Sequence, residues 1–298
     1  MLPMGVFTAV LTPLRDDLNI DHAGFAEHCR WLLANGSDGV APMGTTGEAN
    51  SFSVGERTEA LERLLDAGIP KDRIIIGTGC CAIPDTVTLT RHALDHGVAN
   101  MLMLPPFYYK GVGDDGIFAA FDRVIQRIGD KRLRIYLYHF PQMSGVPITQ
   151  GLIGKLLKAY PEIIAGMKDS SGDWDNMKNA CERFPGFRVY AGTEKVLLPI
   201  LRAGGVGCIS ATTNITCKLA GELFAKWKTT EADTLQERLT ATRNVLEKYP
   251  RIGVLKALAA LRSGKLNWRL PRPPLEALSA ADAKQAAVEL AQAGLPLT

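Results

Sequence analysis

Residues 163–173 read Ile-Ile-Ala-Gly-Met-Lys-Asp-Ser-Ser-Gly-Asp, an apolar run that turns polar at Lys168. A short, uninterrupted apolar run is typical of a strand buried on both faces, as in a parallel sheet. Lys168 would therefore stand where the core meets a cleft. Burial at that boundary disfavours the charged ammonium and leaves free amine to attack a carbonyl. On this segment alone, a solvated lysine just past a strand end is the simpler interpretation.

The same kind of apolar run recurs along the chain and alternates with amphipathic helical patterns. Helices this close to each strand force parallel, right-handed crossovers. Eight strand–helix units fit a (β/α)₈ TIM barrel better than an open doubly wound sheet. No Gly-x-Gly-x-x-Gly turn follows the first run, so a dinucleotide-binding sheet lacks its main signal. The predicted strands are 5–12, 39–43, 73–79, 100–106, 134–140, 163–167, 187–191 and 206–211.

Past residue 212 the chain carries helical patterns only, interrupted by Pro250 and by the prolines of 271–274. The first of these helices, 219–227, completes the barrel. The others form a C-terminal helical extension that serves packing and subunit contacts. We therefore predict a barrel domain over residues 1–225 and an extension over 226–298.

The composition is that of an ordinary globular protein. The 298 residues are 46% hydrophobic and 22% charged, enough for a substantial core. A formal charge of +3 is too weak to indicate nucleic acid or an anionic membrane as a partner. No apolar run reaches the ~18 residues of a membrane helix, and the N-terminus lacks the order of a signal peptide. We expect a cytoplasmic protein.

The cysteines and histidines do not indicate a metal site. Six cysteines are scattered without metal-ligand spacing, and the adjacent pair Cys80-Cys81 lacks the intervening residues of a zinc motif. The five histidines do not cluster in the sequence either. We expect reduced, mostly buried thiols and no metal.

Two further segments place reactive side chains at predicted strand ends. In Gly44-Thr45-Thr46-Gly47-Glu48, backbone amides and hydroxyls could close round a carboxylate, although a β-turn capped by threonines is the plainer alternative. Tyr138 precedes Lys168 by one strand–helix–strand repeat, so both could point into one barrel mouth. A phenol beside an amine could move the protons of imine chemistry. A single tyrosine is more often a packed aromatic, but three coincident strand ends favour a site.

These motifs resemble the dihydrodipicolinate synthase / N-acetylneuraminate lyase family of class I aldolases over nearly the whole chain. The resemblance implies a (β/α)₈-barrel lyase that needs no cofactor, acts on pyruvate or another 2-keto acid, and assembles as a homotetramer, a dimer of dimers. The matching segments are 8–13 (Thr-Ala-Val-Leu-Thr-Pro), 44–48, 138–141 and 166–169, with weaker matches at 105–109 and 207–210.

The resemblance also implies the catalytic residues. Lys168 would form the Schiff base with the ketone carbon, and Tyr138 would shuttle protons beside it. Thr45 would pass protons to Tyr138. Tyr108 would reach across a subunit interface into the neighbouring site, while Phe107 and Tyr109 would pack.

The substrate-binding residues are implied in the same way. Thr45 and Thr46, with Gly47 in the same turn, would hold the pyruvyl carboxylate. The backbone of Ile209 would lie next to bound pyruvate. Ser170 would be among the neutral groups that bind the rest of the substrate, together with Asp169, Ser171, Gln142, Ser144, Thr212, Thr213 and Asn214.

The loop after Tyr138 bears on the substrate. Met143 stands where dihydrodipicolinate synthases usually carry an arginine, and a thioether cannot pair with a carboxylate. His139, where the family frequently has asparagine, is interpreted as a helper of loop geometry. We therefore expect a pyruvate-dependent Schiff-base lyase that cleaves or forms a 2-keto-3-deoxy sugar acid. The alternatives are 4-hydroxy-tetrahydrodipicolinate synthase, a deoxy-keto acid dehydratase, or a non-catalytic keto-acid sensor.

Overall fold

Eight short parallel strands form the centre of the computed structural model, which describes residues 2–297. Each strand matches one of the eight predicted apolar runs. The strands are β1 (Gly5–Ala9), β2 (Gly39–Ala41), β3 (Ile76–Gly77), β4 (Asn100–Met103), β5 (Arg134–His139), β6 (Ile164–Asp169), β7 (Arg188–Ala191) and β8 (Gly207–Ser210).

The strands close into a barrel. Their order is β2-β1-β8-β7-β6-β5-β4-β3, with every neighbouring pair parallel. The remaining edge is joined by two hydrogen bonds, from Ile75 N–H to the Val40 carbonyl (3.0 Å) and from Gly77 N–H to the Pro42 carbonyl (2.9 Å). The predicted (β/α)₈ TIM barrel is therefore confirmed.

Helices cover the barrel and extend beyond it at the C-terminus. Strong caps define several of them, such as the reciprocal capping box of Ser53 and Glu56. The helices are α1 (His22–Ala34), α2 (Val54–Asp66), α3 (Ile83–Asp95), α4 (Asp114–Ile128), α5 (Pro141–Ser144), α6 (Gln150–Ala159), α7 (Trp174–Arg183), α8 (Leu197–Arg202), α9 (Thr213–Lys226), α10 (Ala232–Leu246), α11 (Arg251–Ser263) and α12 (Ala280–Gln292).

Helix α1 was not predicted from the sequence, although it is a full barrel helix. Its buried face carries His28 and Gly24 beside Phe25, Cys29 and Leu32, so the apolar periodicity is weak. The side chain of Asp21 caps its first turn by accepting from Gly24 N–H at 2.9 Å.

The C-terminal helices pack on the barrel in two ways. Helix α10 inserts Leu235 and Leu239 into the core that lies between the strands and their helices. Helices α11 and α12 build a second apolar cluster that also takes in Leu11 and Ile215 of the barrel. Helix α9 ends at Lys226, and the domain boundary at 225/226 stays a prediction.

Two other expectations concern the whole chain. All six cysteines are free, and Cys29, Cys208 and Cys217 are buried, so half rather than most are fully enclosed. Among residues 2–297, the helices are all too short or too polar to cross a membrane.

Candidate active site

Lys168 lies inside strand β6 instead of just past its end. The strand continues to Asp169 because Lys168 pairs in register with Tyr138 of β5 and with Tyr190 of β7. Lys168 is only 5% exposed. The interpretation of a solvated lysine is therefore wrong.

The amine and the phenol meet in the barrel mouth. Lys168 Nζ donates to the Tyr138 hydroxyl at 3.2 Å and lies 4.3 Å from the centre of its ring. Adjacent parallel strands in register bring these side chains to the same side of the sheet. A buried amine beside a proton-carrying hydroxyl is the arrangement that carbonyl addition and imine formation need.

Thr45 extends this pair into a chain of three groups. Its Oγ1 lies 3.4 Å from the Tyr138 hydroxyl oxygen. The loop that carries Thr45 is held by a hydrogen bond from the Thr12 hydroxyl to the Gly47 carbonyl (2.8 Å). A side chain at Gly47 would stand 2.9 Å from the Val10 carbonyl oxygen, so the turn accepts only glycine there without a shift.

Gly44 and Thr45 of this loop border a small cleft beside Tyr138. Thr46 and Gly47 are buried, whereas Thr45 is half-buried beside Tyr138. On the opposite wall, glycine at position 77 lets β3 approach the Met43 carbonyl, which a side chain there would overlap. The cleft is lined by Met43, Gly44, Thr45, Ala49, Asn50, Gly77, Gly79, Leu102, Leu104 and Tyr138.

Ile209 lies within β8, and Ser170 directly follows the last residue of β6. Ile209 is fully buried in the apolar cluster of the barrel interior that also contains Tyr138. Ser170 donates its N–H to the His139 carbonyl at 2.8 Å. A side chain at Gly192 would meet Ser170 Oγ at 2.2 Å, so glycine is needed opposite this serine.

Tyr108 lies outside the hydrogen-bonded trio within the described chain. It sits on the loop between β4 and α4, is 74% exposed, and packs edge-to-face against Tyr109 with ring centres 5.3 Å apart. Tyr109 is equally exposed and packs only at the surface, against Tyr108. Large exposed aromatics side by side are typical of surfaces that another chain covers.

His139 has the structural role that the sequence suggested. Its Nδ1 accepts a hydrogen bond from Ile148 N–H at 2.9 Å, which ties the end of β5 to the segment before α6. Burial lowers the pKa of His139, while the charge of Asp169 opposes that shift. Asp169 itself accepts from Ser171 N–H (2.8 Å) and from Asn176 (2.6 Å).

Four of the polar side chains that were predicted to face the barrel mouth do not do so. Ser144, Thr212, Thr213 and Asn214 are buried and use their polar atoms inside the protein. Asn214, for example, donates to the carbonyls of Ala9 (2.8 Å) and Ala211 (2.7 Å). The prediction that these four side chains face a substrate is wrong, because their polar atoms are already hydrogen-bonded to other groups of the protein.

A buried ion pair beneath β8 was not predicted. Glu194 is fully enclosed, pairs with Arg243 of α10 at 2.8 Å, and also accepts from the hydroxyls of Ser210, Thr212 and Thr216. Burial opposes ionisation, but Arg243 and the hydroxyls hold the pKa of Glu194 below its usual value. The pair fixes the strand end next to Ile209. The sequence signal for this pair was Arg243, a charged residue among the leucines of α10.

A second buried ion pair holds the loop that carries Thr45 in place. Lys256 of α11 lies 2.5 Å from Glu48, and the two side chains are 1% and 0% exposed. Lys256 also donates to the Leu270 carbonyl (2.7 Å), and Glu48 accepts from Arg272 N–H (2.7 Å). Burial lowers the pKa of Lys256 and Glu48 opposes that shift. The sequence signal for this pair was Lys256, a charged residue inside the apolar stretch 254–260.

Known proteins resemble this chain along nearly its full length. The profile of the dihydrodipicolinate synthetase family matches residues 2–293. An uncharacterized DapA-like lyase of Chloroflexus aurantiacus is 36% identical over 296 residues, 98% of each chain. A 4-hydroxy-tetrahydrodipicolinate synthase of Methanopyrus kandleri is 31% identical over 277 residues, 91% of this chain and 90% of that one. The crystal structure of dihydrodipicolinate synthase from Agrobacterium tumefaciens has a TM-score of 0.89 and 33% identity, covering 98% of this chain and 99% of that one.

A (β/α)₈ barrel with an amine and a phenol at the carboxyl ends of neighbouring strands is the architecture of a class I aldolase, and the protein is a lyase. More narrowly, the chain belongs to the dihydrodipicolinate synthetase family. The resemblance seen in the sequence is thereby confirmed.

Proposed function

We propose that this protein is a pyruvate-dependent Schiff-base lyase in which Lys168 is the nucleophile and Tyr138 the acid–base group. The observation that supports this most directly is the 3.2 Å contact between Lys168 Nζ and the Tyr138 hydroxyl in a nearly closed mouth. The free amine adds to the ketone carbon of a 2-keto acid to give a carbinolamine. Tyr138 then delivers a proton to the departing oxygen, water leaves, and the protonated imine forms.

The protonated imine accepts the electron pair of the bond that breaks. In cleavage, the 4-hydroxyl loses its proton, the C3–C4 bond breaks, and an aldehyde leaves an enamine on Lys168. Protonation of the enamine and addition of water return pyruvate and free lysine. Thr45, 3.4 Å from the Tyr138 hydroxyl, would pass the proton onward. The lysine itself supplies the electron sink, so the reaction needs no cofactor and no metal.

The substrate carboxylate would bind at the loop after β2. Thr45, Thr46 and Gly47 offer hydroxyls and backbone amides in a turn whose conformation is fixed from outside by Thr12 and Lys256. The backbone of Ile209 would lie next to bound pyruvate, and the hydroxyl of Ser170 would border the rest of the substrate. The burial of Ile209 in the cluster that contains Tyr138, and the hydrogen bond of Ser170 to the end of β5, support this assignment.

We assign a 2-keto-3-deoxy sugar acid as the substrate, with pyruvate and an aldehyde as products. Met143 on α5 is 62% exposed and offers no charge for a second carboxylate. Ser170, Ser171 and Gln142 offer neutral polar groups nearby, although Gln142 Nε2 already donates to the Ser171 carbonyl at 2.5 Å. A neutral wall suits hydroxyl groups better than a carboxylate.

A second candidate is 4-hydroxy-tetrahydrodipicolinate synthase, or a deoxy-keto acid dehydratase on the same site. Relatives at about 30% identity carry the synthase name. Lys110 Nζ donates to the carbonyl of Ser144 at 2.7 Å, and so places a positive charge beside the turn that carries Met143. If the synthase reaction occurs, Lys110 is the first residue to replace.

We further propose a homotetramer, a dimer of dimers, in which Tyr108 completes a partner's site. The exposed pair Tyr108 and Tyr109 supports a contact between chains. Closed symmetric assemblies are the norm for chains of this kind. Sedimentation at the assay concentration measures the mass, and a fully active monomer would rule out both the assembly and the role of Tyr108.

Borohydride trapping tests the nucleophile. Protein incubated with pyruvate and borohydride should gain one covalent adduct per chain by intact mass, and Lys168→Ala should gain none while its circular dichroism is unchanged. Lys155→Ala, which removes an exposed lysine from α6, is the matched control and should behave as wild type. An adduct on Lys168→Ala, or none on wild type, contradicts the assignment.

A panel of 2-keto-3-deoxy sugar acids, assayed for released pyruvate and for loss of water, tests the substrate class. A parallel assay with pyruvate and aspartate semialdehyde, coupled to dihydrodipicolinate reductase, tests the second candidate. We expect a catalytic efficiency at least several hundredfold lower in the second assay, because an unpaired carboxylate in the cleft costs several kcal/mol. A higher rate with the semialdehyde than with every sugar acid would reverse the order of the two candidates.

A further inference from the structure

Three side chains with metal-ligating atoms meet on the outer surface of the barrel, where α2 and α3 run side by side. They are Glu62 of α2 and His92 and His96 of α3. The expectation that the histidines do not cluster is wrong for these two, because residues four apart on a helix share one face. Lys168 and its partners lie inside the barrel and belong to a separate site.

The hydrogen bond of His96 leaves one of its ring nitrogens available as a ligand atom. His96 Nδ1 lies 2.8 Å from the His92 carbonyl, which can only accept, so Nδ1 carries the proton and Nε2 keeps its lone pair. A bond from the second ring nitrogen to a carbonyl is the usual support of a metal-binding histidine. His92 Nε2 lies 2.8 Å from a carboxylate oxygen of Glu62, and a metal bound between them would take the place of the proton that His92 donates, which leaves to solvent.

We propose that Glu62, His92 and His96 form a binding site for a divalent first-row transition metal, such as Zn²⁺. The ligand atoms of the three residues lie within 4.8 Å of one another. Tetrahedral Zn²⁺ with bonds of about 2.0 Å separates its ligand atoms by roughly 3.3 Å. The contact between His92 and Glu62 is already near that value, and the exposed Glu62 side chain can turn to complete it.

Charge and ligand type agree with this class of metal. The hydrogen bond from His92 holds the pKa of Glu62 below its usual value, so its carboxylate is ionised at neutral pH. The neighbouring Arg63 is directed to Glu59, at 3.3 Å. Two imidazoles and one carboxylate suit Zn²⁺, Ni²⁺ or Cu²⁺ better than Mg²⁺ or Ca²⁺, and they leave a fourth position for water.

The bound metal would link two helices that follow different strands. Because three ligands from the native packing of α2 and α3 are needed, the unfolded chain binds more weakly, and the metal stabilises the folded protein. The site is remote from the chemistry of Lys168, so we expect no change in lyase turnover on binding.

The test is a calorimetric titration of tag-free protein with Zn²⁺. We expect one ion per chain in wild type and an affinity at least tenfold lower in His96→Gln and in Glu62→Gln. His22→Gln is the matched control: it removes another helix histidine that faces a glutamate, Glu59 at 3.7 Å, without a third ligand. That variant should bind Zn²⁺ as wild type does.

A second readout identifies the geometry. Co²⁺ in place of Zn²⁺ should give wild type the intense visible absorption of a four-coordinate site, and His96→Gln should lose it. Equal zinc affinity in wild type and His96→Gln, or no binding to wild type at concentrations on the order of 1 mM, would overturn the proposal. Circular dichroism of each variant shows whether it is folded, and Glu62→Gln, at an exposed position, supplies the result if His96→Gln is not.

Discussion

Acidification should destabilise this protein through one buried histidine. His28 of α1 is fully buried. Its Nδ1 lies 3.0 Å from Arg262, which can only donate, so Nδ1 accepts and Nε2 carries the proton. Nε2 in turn donates to the Asn214 side-chain oxygen at 2.8 Å. Burial first, and the charge of Arg262 second, lower the pKa of His28 to about 3.

The sign and size of the effect follow from proton binding. An unfolded histidine has a pKa of about 6.5, so between pH 6.5 and pH 3 the unfolded state holds the extra proton. Stability contributed by neutral His28 is complete above pH 6.5 and is lost as the pH falls. At pH 5 the unfolded state gains about 2 kcal/mol relative to pH 8. That loss is a large fraction of the stability of an ordinary domain.

The measurement is urea unfolding at pH 8 and pH 5, at one protein concentration, for wild type and His28→Gln. Glutamine keeps a donor and an acceptor but does not titrate. Carboxylates lose stability in the same direction and do so in both proteins, so the difference between the two isolates His28. Wild type should lose about 2 kcal/mol more than the variant. Equal losses, or an NMR titration showing charged His28 at pH 5 in the folded protein, would refute the reasoning.

Three further outcomes follow from the buried polar groups. Tyr138→Phe should slow turnover roughly 10²- to 10⁴-fold while a borohydride adduct still forms on Lys168. Near-normal turnover would mean that Tyr138 has no acid–base role and only packs. Arg243→Met should cost about 3–5 kcal/mol in urea unfolding because the charge of Glu194 stays buried and unpaired; adding Glu194→Gln should recover part of the loss. Lys256→Met should destabilise the protein similarly and raise the KM for pyruvate. An unchanged KM would mean that Lys256 does not position the loop that carries Thr45.

The barrel was predictable because its signal is local. Each strand is a short apolar run, and most covering helices, though not α1, repeat their apolar residues about every 3.6 positions. Lys168 and Tyr138 stand out because they interrupt such runs at strand ends. Their register, which puts them opposite each other, follows from the parallel pairing of β5 and β6.

The buried polar network could not be predicted, because its partners are distant in sequence. Asn214 hydrogen-bonds to Ala9 across 205 positions, and Glu194 meets Arg243 across 49. In the sequence, a threonine or asparagine after a strand is equally consistent with binding a substrate and with closing a helix start. Only the three-dimensional packing distinguishes the two uses.

The contact between Lys256 and Glu48 makes the C-terminal helices part of the active-site architecture. A chain ended after residue 225 would keep the Glu48 carboxylate but lose Lys256 and the Arg272 amide that neutralise and bond it. An isolated barrel would therefore hold an unpaired charge directly beside the turn that we propose binds the substrate carboxylate. For protein engineering, the extension cannot be trimmed or exchanged like a separate module. Grafts of this active site onto shorter barrels must bring a replacement cation for Glu48.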